Sequence, residues 1–209
     1  MSHHYVSLGK VTDIMNHLDE VYINAMNAYK KGTYGTLEEG IYILEENVEF
    51  VRIDLFDNRL NMMVPKKFFD MPLNIAKLKY PTEQRPQIIK TNENYDINLT
   101  FSLLNVELKN ENVYEVRDGL KNILQNIQPS IVVQELGGLK RVNFDIAWFD
   151  FKSPAADAPL YNIMYCISLD NQLMQGVFNC PYVLKELWNP VFLQLLNSIQ
   201  ISKNGQEGD

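Results

Sequence analysis

The clearest regularity along the chain is a strict alternation at residues 96–103. Ile97, Leu99, Phe101 and Leu103 occupy one parity; Asp96, Asn98, Thr100 and Ser102 occupy the other. A period of two marks a strand with one face in the core, and the polar composition of the second parity predicts a wet face. Residues 87–90, turned through Asn92-Glu93-Asn94, supply its expected partner. Elsewhere the period lengthens. Val113, Val116, Leu120, Ile123, Leu124 and Ile127 recur at three and four, which predicts an amphipathic helix over 112–128 closed by Pro129. Leu184, Leu187, Trp188, Val191, Leu195 and Ile199 predict another over 182–200, where Asn189-Pro190 is placed to restart the helix after a short first turn.

Between these helices lie four strand-like runs, 131–136, 142–151, 160–169 and 172–180. Gly137-Gly138 and Asp170-Asn171 stand where two-residue hairpin turns require positive φ. Upstream, a run over 48–56 turns at Asp57-Asn58-Arg59 and returns over 60–64 until Pro65 stops it. A short helix is expected over 73–79, followed by an irregular segment held by Pro81 and Pro86. Ahead of all these, Val11, Ile14, Leu18, Val21, Tyr22, Ala25 and Tyr29 predict a first helix over 12–31, capped by Thr12 and ended by Gly32. The glycine-punctuated stretch 32–40 reads as a linker, or as an arm that orders only against something else.

Strands joined by hairpin signals, with helices before, between and after, indicate an α+β fold: a mostly antiparallel sheet flanked by helices. The expected divisions are an N-terminal helix and linker over 1–40, the α+β domain over 41–202, and a disordered tail over 203–209. Composition agrees with one ordinary globular domain, since 46% of the 209 residues are hydrophobic and 22% charged. The formal net charge of −7 argues against a nucleic-acid partner, which needs a basic face, and against an anionic membrane surface. No apolar run reaches the length of a spanning helix, so no membrane insertion is expected. The N-terminus shows no secretory pattern, and Cys166 and Cys180 both sit in apolar runs. A cytoplasmic protein with two buried thiols is the expectation.

Catalytic chemistry is hard to assemble from these residues. The histidines are His3, His4 and His17, none at ligand spacing from a carboxylate, and the cysteines form no C-x-x-C pair. No nucleophile elbow and no phosphate loop occur. Asp145, Asp150 and Asp157 are expected on solvated faces, with Asp145 sharing a face with Ala147 and Asp150 pointing the other way. No catalytic residue, metal ligand or cofactor is therefore expected. Two segments stand out. Residues 77–86 gather three basic residues, an aromatic and two prolines in an acidic chain. There Lys79, Tyr80 and Arg85 form a candidate partner-binding set for a carboxylate or an acidic strip. The alternative is a crossing loop pinned by its prolines, with Arg85 paired to a strand acid. Trp148, Phe149, Phe151, Phe178 and Trp188 line either a groove or, more simply, the core under a helix.

The order of elements from about residue 48 to 201 resembles the PsbP-like superfamily, which includes DcrB-like bacterial proteins and a small eukaryotic nuclear-import factor that binds the GTPase Ran. The residues that carry the resemblance are Leu60-Asn61-Met62-Met63-Val64-Pro65 before a helix, then Gly176-Val177-Phe178-Asn179-Cys180, Trp188 and Leu196-Asn197-Ser198-Ile199. The resemblance implies an antiparallel sheet flanked by helices and a protein that works by binding; it transfers no active site. This chain departs from it in lacking a secretory or lipoprotein signal and in adding the helix over 12–31. The leading expectation is a non-enzymatic protein-binding module, an adaptor or chaperone, with another protein as partner or a homodimer formed through the N-terminal helix. The alternatives are a small-ligand binder or enzyme with a pocket between sheet and helix, using Lys79, Tyr80 and Arg85, and an immunity or inhibitor protein that covers a basic partner.

Overall fold

The computed structural model describes residues 33–202. The helix expected over 12–31, the three histidines and the tail over 203–209 lie outside the described residues. Three strands open the structure: β1 (Tyr34–Thr36), β2 (Gly40–Ile43) and β3 (Glu46–Val48), paired as an antiparallel meander. Residues 33–40, which read as a linker, thus fold into a hairpin. Leu37 and Ile41 anchor it in the core, and the Thr33 hydroxyl donates to the Leu187 carbonyl at 3.1 Å. β4 (Phe50–Leu55) and β5 (Leu60–Pro65) follow as a hairpin and are joined by the terminal β13 (Gln200–Ile201).

The main sheet has seven antiparallel strands. They are β6 (Phe69–Asp70), β7 (Ile88–Thr91), β8 (Asn98–Glu107), β9 (Val132–Lys140), β10 (Asp145–Ser153), β11 (Leu160–Leu169) and β12 (Gln172–Pro181), in the spatial order β6-β7-β8-β12-β11-β10-β9. Three helices accompany it: α1 (Leu73–Lys79), α2 (Val113–Ile127) and α3 (Lys185–Asn197). A 3-10 turn over Tyr182–Leu184 leads into α3, which runs continuously through Pro190 instead of restarting there. Asp170-Asn171 is a two-residue turn with φ of 52° and 59°, the geometry that matches the twist of the strands it joins.

Gly137-Gly138 is not a turn. Both glycines lie inside β9, opposite Trp148 and Ala147, and the β9–β10 connection falls at residues 141–144. Side chains are absent there for a packing reason: a Cβ on Gly137 would enter the Trp148 indole, and one on Gly138 the Tyr114 ring.

The two faces of the large sheet are covered differently. One carries Leu99, Phe101, Tyr161, Ile163, Tyr165 and Phe178, and packs under α3 and the two small sheets. There α3 buries Trp188, Val191, Phe192, Leu195 and Leu196, each contributing about 1.5–3 kcal/mol on leaving water. The aromatic group singled out in the sequence is accordingly core: Trp148, Phe178 and Trp188 on this side, Phe149 and Phe151 on the other. The second face is covered from its two ends. Leu120 and Leu124 of α2 lie over Phe149, Phe151 and Met164, while Ala76 and Ile75 of α1 pack with Ile89 and Met71 beside β7. α2 holds the sheet with only part of its apolar stripe, since Ile123 and Ile127 stay exposed. Over β8 and β12, between the two helices, the sheet face opens into a cleft.

Asp150 also departs from the solvated-face expectation. It is 2% exposed, on the core side of β10. β9 carries two residues, Gln134 and Glu135, where β10 carries one, and the Asp150 carboxylate fills the gap. Its Oδ1 accepts from the Glu135 backbone N–H at 2.6 Å and its Oδ2 from the Tyr161 hydroxyl at 2.9 Å. The acid thus closes the hydrogen-bond ladder at a bulge.

Candidate functional site

The cleft between α1 and the β10–β11 connection has a volume of about 700 Å³. Its floor is the parity of β8 that alternation predicted to be wet. Asn98 and Thr100 are buried there because their strand is internal and the loop after α1 folds back over this face. The sheet register then brings together residues far apart in sequence: Thr91 faces Asn98, Asn98 faces Asn179, and Asn179 faces Asn162. Asn98, Asn162 and Asn179 are 3%, 6% and 8% exposed.

Hydrogen bonds join these groups side by side across the strands. The Thr91 hydroxyl donates to Asn98 Oδ1 at 2.7 Å, and Asn98 Nδ2 donates to Asn179 Oδ1 at 2.9 Å. The Asn179 side chain also stands near the Tyr80 phenol. At the other end Asn162 Nδ2 lies 3.0 Å from Ser153 Oγ and 3.4 Å from the carbonyls of Phe151 and Leu160. Buried amides are tolerated only when bonded in this way, because each costs about 1–3 kcal/mol if left without a partner. The ladder is uncharged throughout.

The walls are mainly apolar: Leu78 and Pro86 on the α1 side, Leu160 and Pro181 at one end, and the small residues Ala155, Ala156 and Ala158 opposite. Charges stay at the rim: Asp157 is exposed on the outer wall, and the other two are engaged by protein groups. Lys79 Nζ donates to the Tyr95 carbonyl, and the Asp96 carboxylate accepts from Asn92 Nδ2 at 2.7 Å. Burial pushes the Tyr80 phenol above its ordinary pKa, and the nearby Asn179 side chain draws it partly back. The phenol therefore keeps its proton at neutral pH and remains a donor.

The three residues singled out in the sequence take different places. Lys79 and Tyr80 line the cleft, whereas Arg85 does not. Its Nε donates to the Tyr80 carbonyl at 3.3 Å, and it forms no ion pair with a strand acid. Arg85 thus holds the loop that carries Tyr80. Asn162 and Asn179 escaped the sequence reading, although a signal existed: asparagine is disfavoured inside strands, and each sits on the parity opposite to its apolar neighbours.

Among the described residues no cluster of three or more His, Cys, Asp or Glu converges on a metal-sized site, and no helix is long and apolar enough to cross a membrane. Both cysteines are buried and reduced. Burial pushes the Cys166 thiol up to about 12 and raises Cys180 further, so neither supplies a thiolate at neutral pH.

The chain matches no protein-family profile and no curated protein. Solved structures do match it. Cyanobacterial PsbP (CyanoP) from Synechocystis sp. PCC 6803 aligns with a TM-score of 0.55 at 9% identity, over 82% of this chain and 98% of that one. LpqN of Mycobacterium tuberculosis, involved in cell envelope biogenesis, aligns with a TM-score of 0.50 at 11% identity, over 82% and 99%. The Ran-binding protein Mog1p of Saccharomyces cerevisiae gives 0.49 at 9% identity, over 74% and 96%. The likeness to the first two extends over nearly their whole length at very low identity, and with the antiparallel seven-stranded sheet and its flanking helices it gives this chain the PsbP-like fold.

Proposed function

We propose that this chain is a non-catalytic binding module that takes a small, uncharged, partly apolar ligand in the cleft between α1 and the β10–β11 connection. The observation that carries this reading is the floor. Buried amides occupy strand positions where apolar side chains would pack with less difficulty, and they do so only where the sheet opens into a cavity of ligand size. Chemistry on a bound molecule would need an acid, base or nucleophile facing it. Lys79 and Asp96 at the rim are held by protein partners, Asp157 sits exposed on the outer wall, and the thiols are shut in the core. Such a site is built to hold.

The test is protein-observed NMR on the full chain with a library of small neutral fragments. Binders are expected to shift the side-chain amide resonances of Asn98, Asn162 and Asn179. Ala156→Trp, which fills the cleft from its exposed wall, should abolish those shifts without lowering the unfolding midpoint. Fragments that bind only elsewhere, or equally well to the filled variant, would remove the proposal.

A second reading, association with another protein, is favoured by the outer edge of β9. Among the described residues no further strand pairs with its nine residues, and Val132 and Leu136 are exposed on it. Light scattering on the full chain and on Leu136→Lys tests self-association through this edge. A monomer in both cases excludes it.

A further inference from the structure

Two groups in the cleft have hydrogen-bonding capacity that the protein does not use. The first is on the floor. The two carbonyls of Phe151 and Leu160 face the same end of the Asn162 side chain, and carbonyls only accept, so that end is the NH₂ group. Asn162 Oδ1 is therefore directed away from them and has no hydrogen-bond partner among the described residues, on a side chain that lines the cleft and is 6% exposed. It is an acceptor waiting for a donor.

The second is on the wall. The ladder has a direction, set at its far end. The shorter contact of the Thr91 hydroxyl makes it the donor to Asn98 Oδ1, so Asn98 must donate to Asn179 Oδ1. Asn179 is left with its NH₂ on the Tyr80 side, and the Tyr80 hydroxyl, which lines the cleft, donates to no described residue. That arrangement leaves the Tyr80 hydroxyl proton unspent. Tyr80 comes from the end of α1 and Asn162 from the sheet beneath, so donor and acceptor approach the cleft from different sides. Asn179 and Asn162 are register partners on neighbouring strands, and Tyr80 lines the same cleft above them.

A secondary amide presents an acceptor and a donor on opposite edges of one plane. We infer, resting on the cleft being a ligand site, that it selects an uncharged amide: the ligand carbonyl accepts from the Tyr80 hydroxyl and the ligand N–H donates to Asn162 Oδ1. The apolar walls of Leu160, Pro181 and Pro86 take the carbon frame on either side. A carboxylate is disfavoured, because among the described residues Lys79 is the one cation of the lining and is held by the Tyr95 carbonyl, while Asp96 and Asp157 line it too. An ester or ketone satisfies Tyr80 but leaves Asn162 without its donor.

The experiment titrates the full chain with N-methyl-4-methylpentanamide, the matching methyl ester and the free acid, following the Asn162 and Asn179 side-chain amide resonances. The methylamide should bind about fivefold tighter than the ester, the worth of one neutral hydrogen bond. Tyr80→Phe should weaken both by a similar factor and keep their ratio. Asn162→Leu should erase the ratio; if that variant does not fold, Tyr80→Phe still decides. A capped tripeptide binding more tightly than the methylamide would identify a protein segment as the source of the amide, and equal binding a free small molecule. Equal affinity for amide and ester overturns the inference while leaving the cleft a ligand site. Tighter binding of the free acid overturns it in favour of Lys79. Silence of every cleft resonance overturns both the inference and the proposed function.

Discussion

Substituting the two central asparagines of the ladder by leucine, singly and together, gives a double-mutant cycle whose outcome follows from the bonds around them. Asn179→Leu removes the acceptor of Asn98 Nδ2 and leaves that donor buried, because Asn98 is 3% exposed and its other partner, the Thr91 hydroxyl, already donates to its Oδ1. A buried donor without a partner costs about 1–3 kcal/mol, partly offset by the greater burial free energy of leucine. Asn98→Leu leaves Asn179 Oδ1 unserved, while the Thr91 hydroxyl keeps the Ile97 carbonyl at 3.3 Å, and a similar net loss of about 1–2 kcal/mol is expected. In the double variant both ends of the central bond are gone. Thr91 still donates to the Ile97 carbonyl at 3.3 Å, and Tyr80 stands where water from the cleft reaches it. The pair of leucines should therefore restore most of the stability lost, with a non-additivity of about 1–2 kcal/mol. Urea unfolding at constant m measures all four corners. Additivity within about 0.5 kcal/mol would show that the asparagines do not depend on each other and would refute the ladder as described. A double variant as stable as the parent, yet blind to neutral fragments, would mean that these amides are kept for binding and not for folding.

Three other outcomes follow from the geometry. Asp150→Ala strands the Tyr161 hydroxyl and the Glu135 amide and should cost about 2–4 kcal/mol in urea unfolding, while Asp150→Asn keeps an acceptor for Glu135 and should cost about half as much. Gly176→Ala pushes a methyl into the Tyr165 ring and should destabilise by about 3 kcal/mol or more, whereas Tyr165→Phe removes a buried hydroxyl that has no partner and should leave the thermal midpoint unchanged or higher. Cys166 holds its proton in the folded chain up to about pH 12 but releases it near 9.0 once exposed, so its contribution to stability is complete below pH 9 and is lost as pH rises from there toward 12. Over that window the parent should lose roughly 1.4 kcal/mol per pH unit from this thiol. Cys166→Ala should show a correspondingly shallower alkaline fall in the urea midpoint, and a thiol reagent should label neither cysteine of the parent before unfolding.

How far such a site is legible in a sequence depends on how local its causes are. Asp170-Asn171 was readable as a turn because the φ values it adopts are a property of those two residues. The short helix over Leu73–Lys79 and the stripes of α2 and α3 were readable because period and burial arise within one element. Gly137-Gly138 misled because glycine has two uses: it permits a turn, and it makes room. Which applies is decided by Trp148 and Tyr114, whose rings arrive from another strand and from α2. The stretch 33–40 misled in a related way, since its glycines suggest a loose arm while Leu37 and Ile41 find the core only once α3 and β5 are in place.

The chain's own pattern determined that there would be a sheet of hairpin-joined strands, which side chains would point together along each strand, and that a short helix would run into a segment held by Pro81 and Pro86, with Lys79 and Tyr80 at the junction. Alternation specifies parity, and parity is a property of the backbone alone. It does not say what lies above a face. Asn98 and Asn179 are 81 positions apart, and their meeting depends on β12 entering the sheet beside β8 instead of beside a later strand. Only the tertiary structure decided that the polar parity would be roofed rather than wet. Two helices cover opposite ends of that face and leave the middle open, and this long-range arrangement turns three unremarkable asparagines into the floor of a cleft.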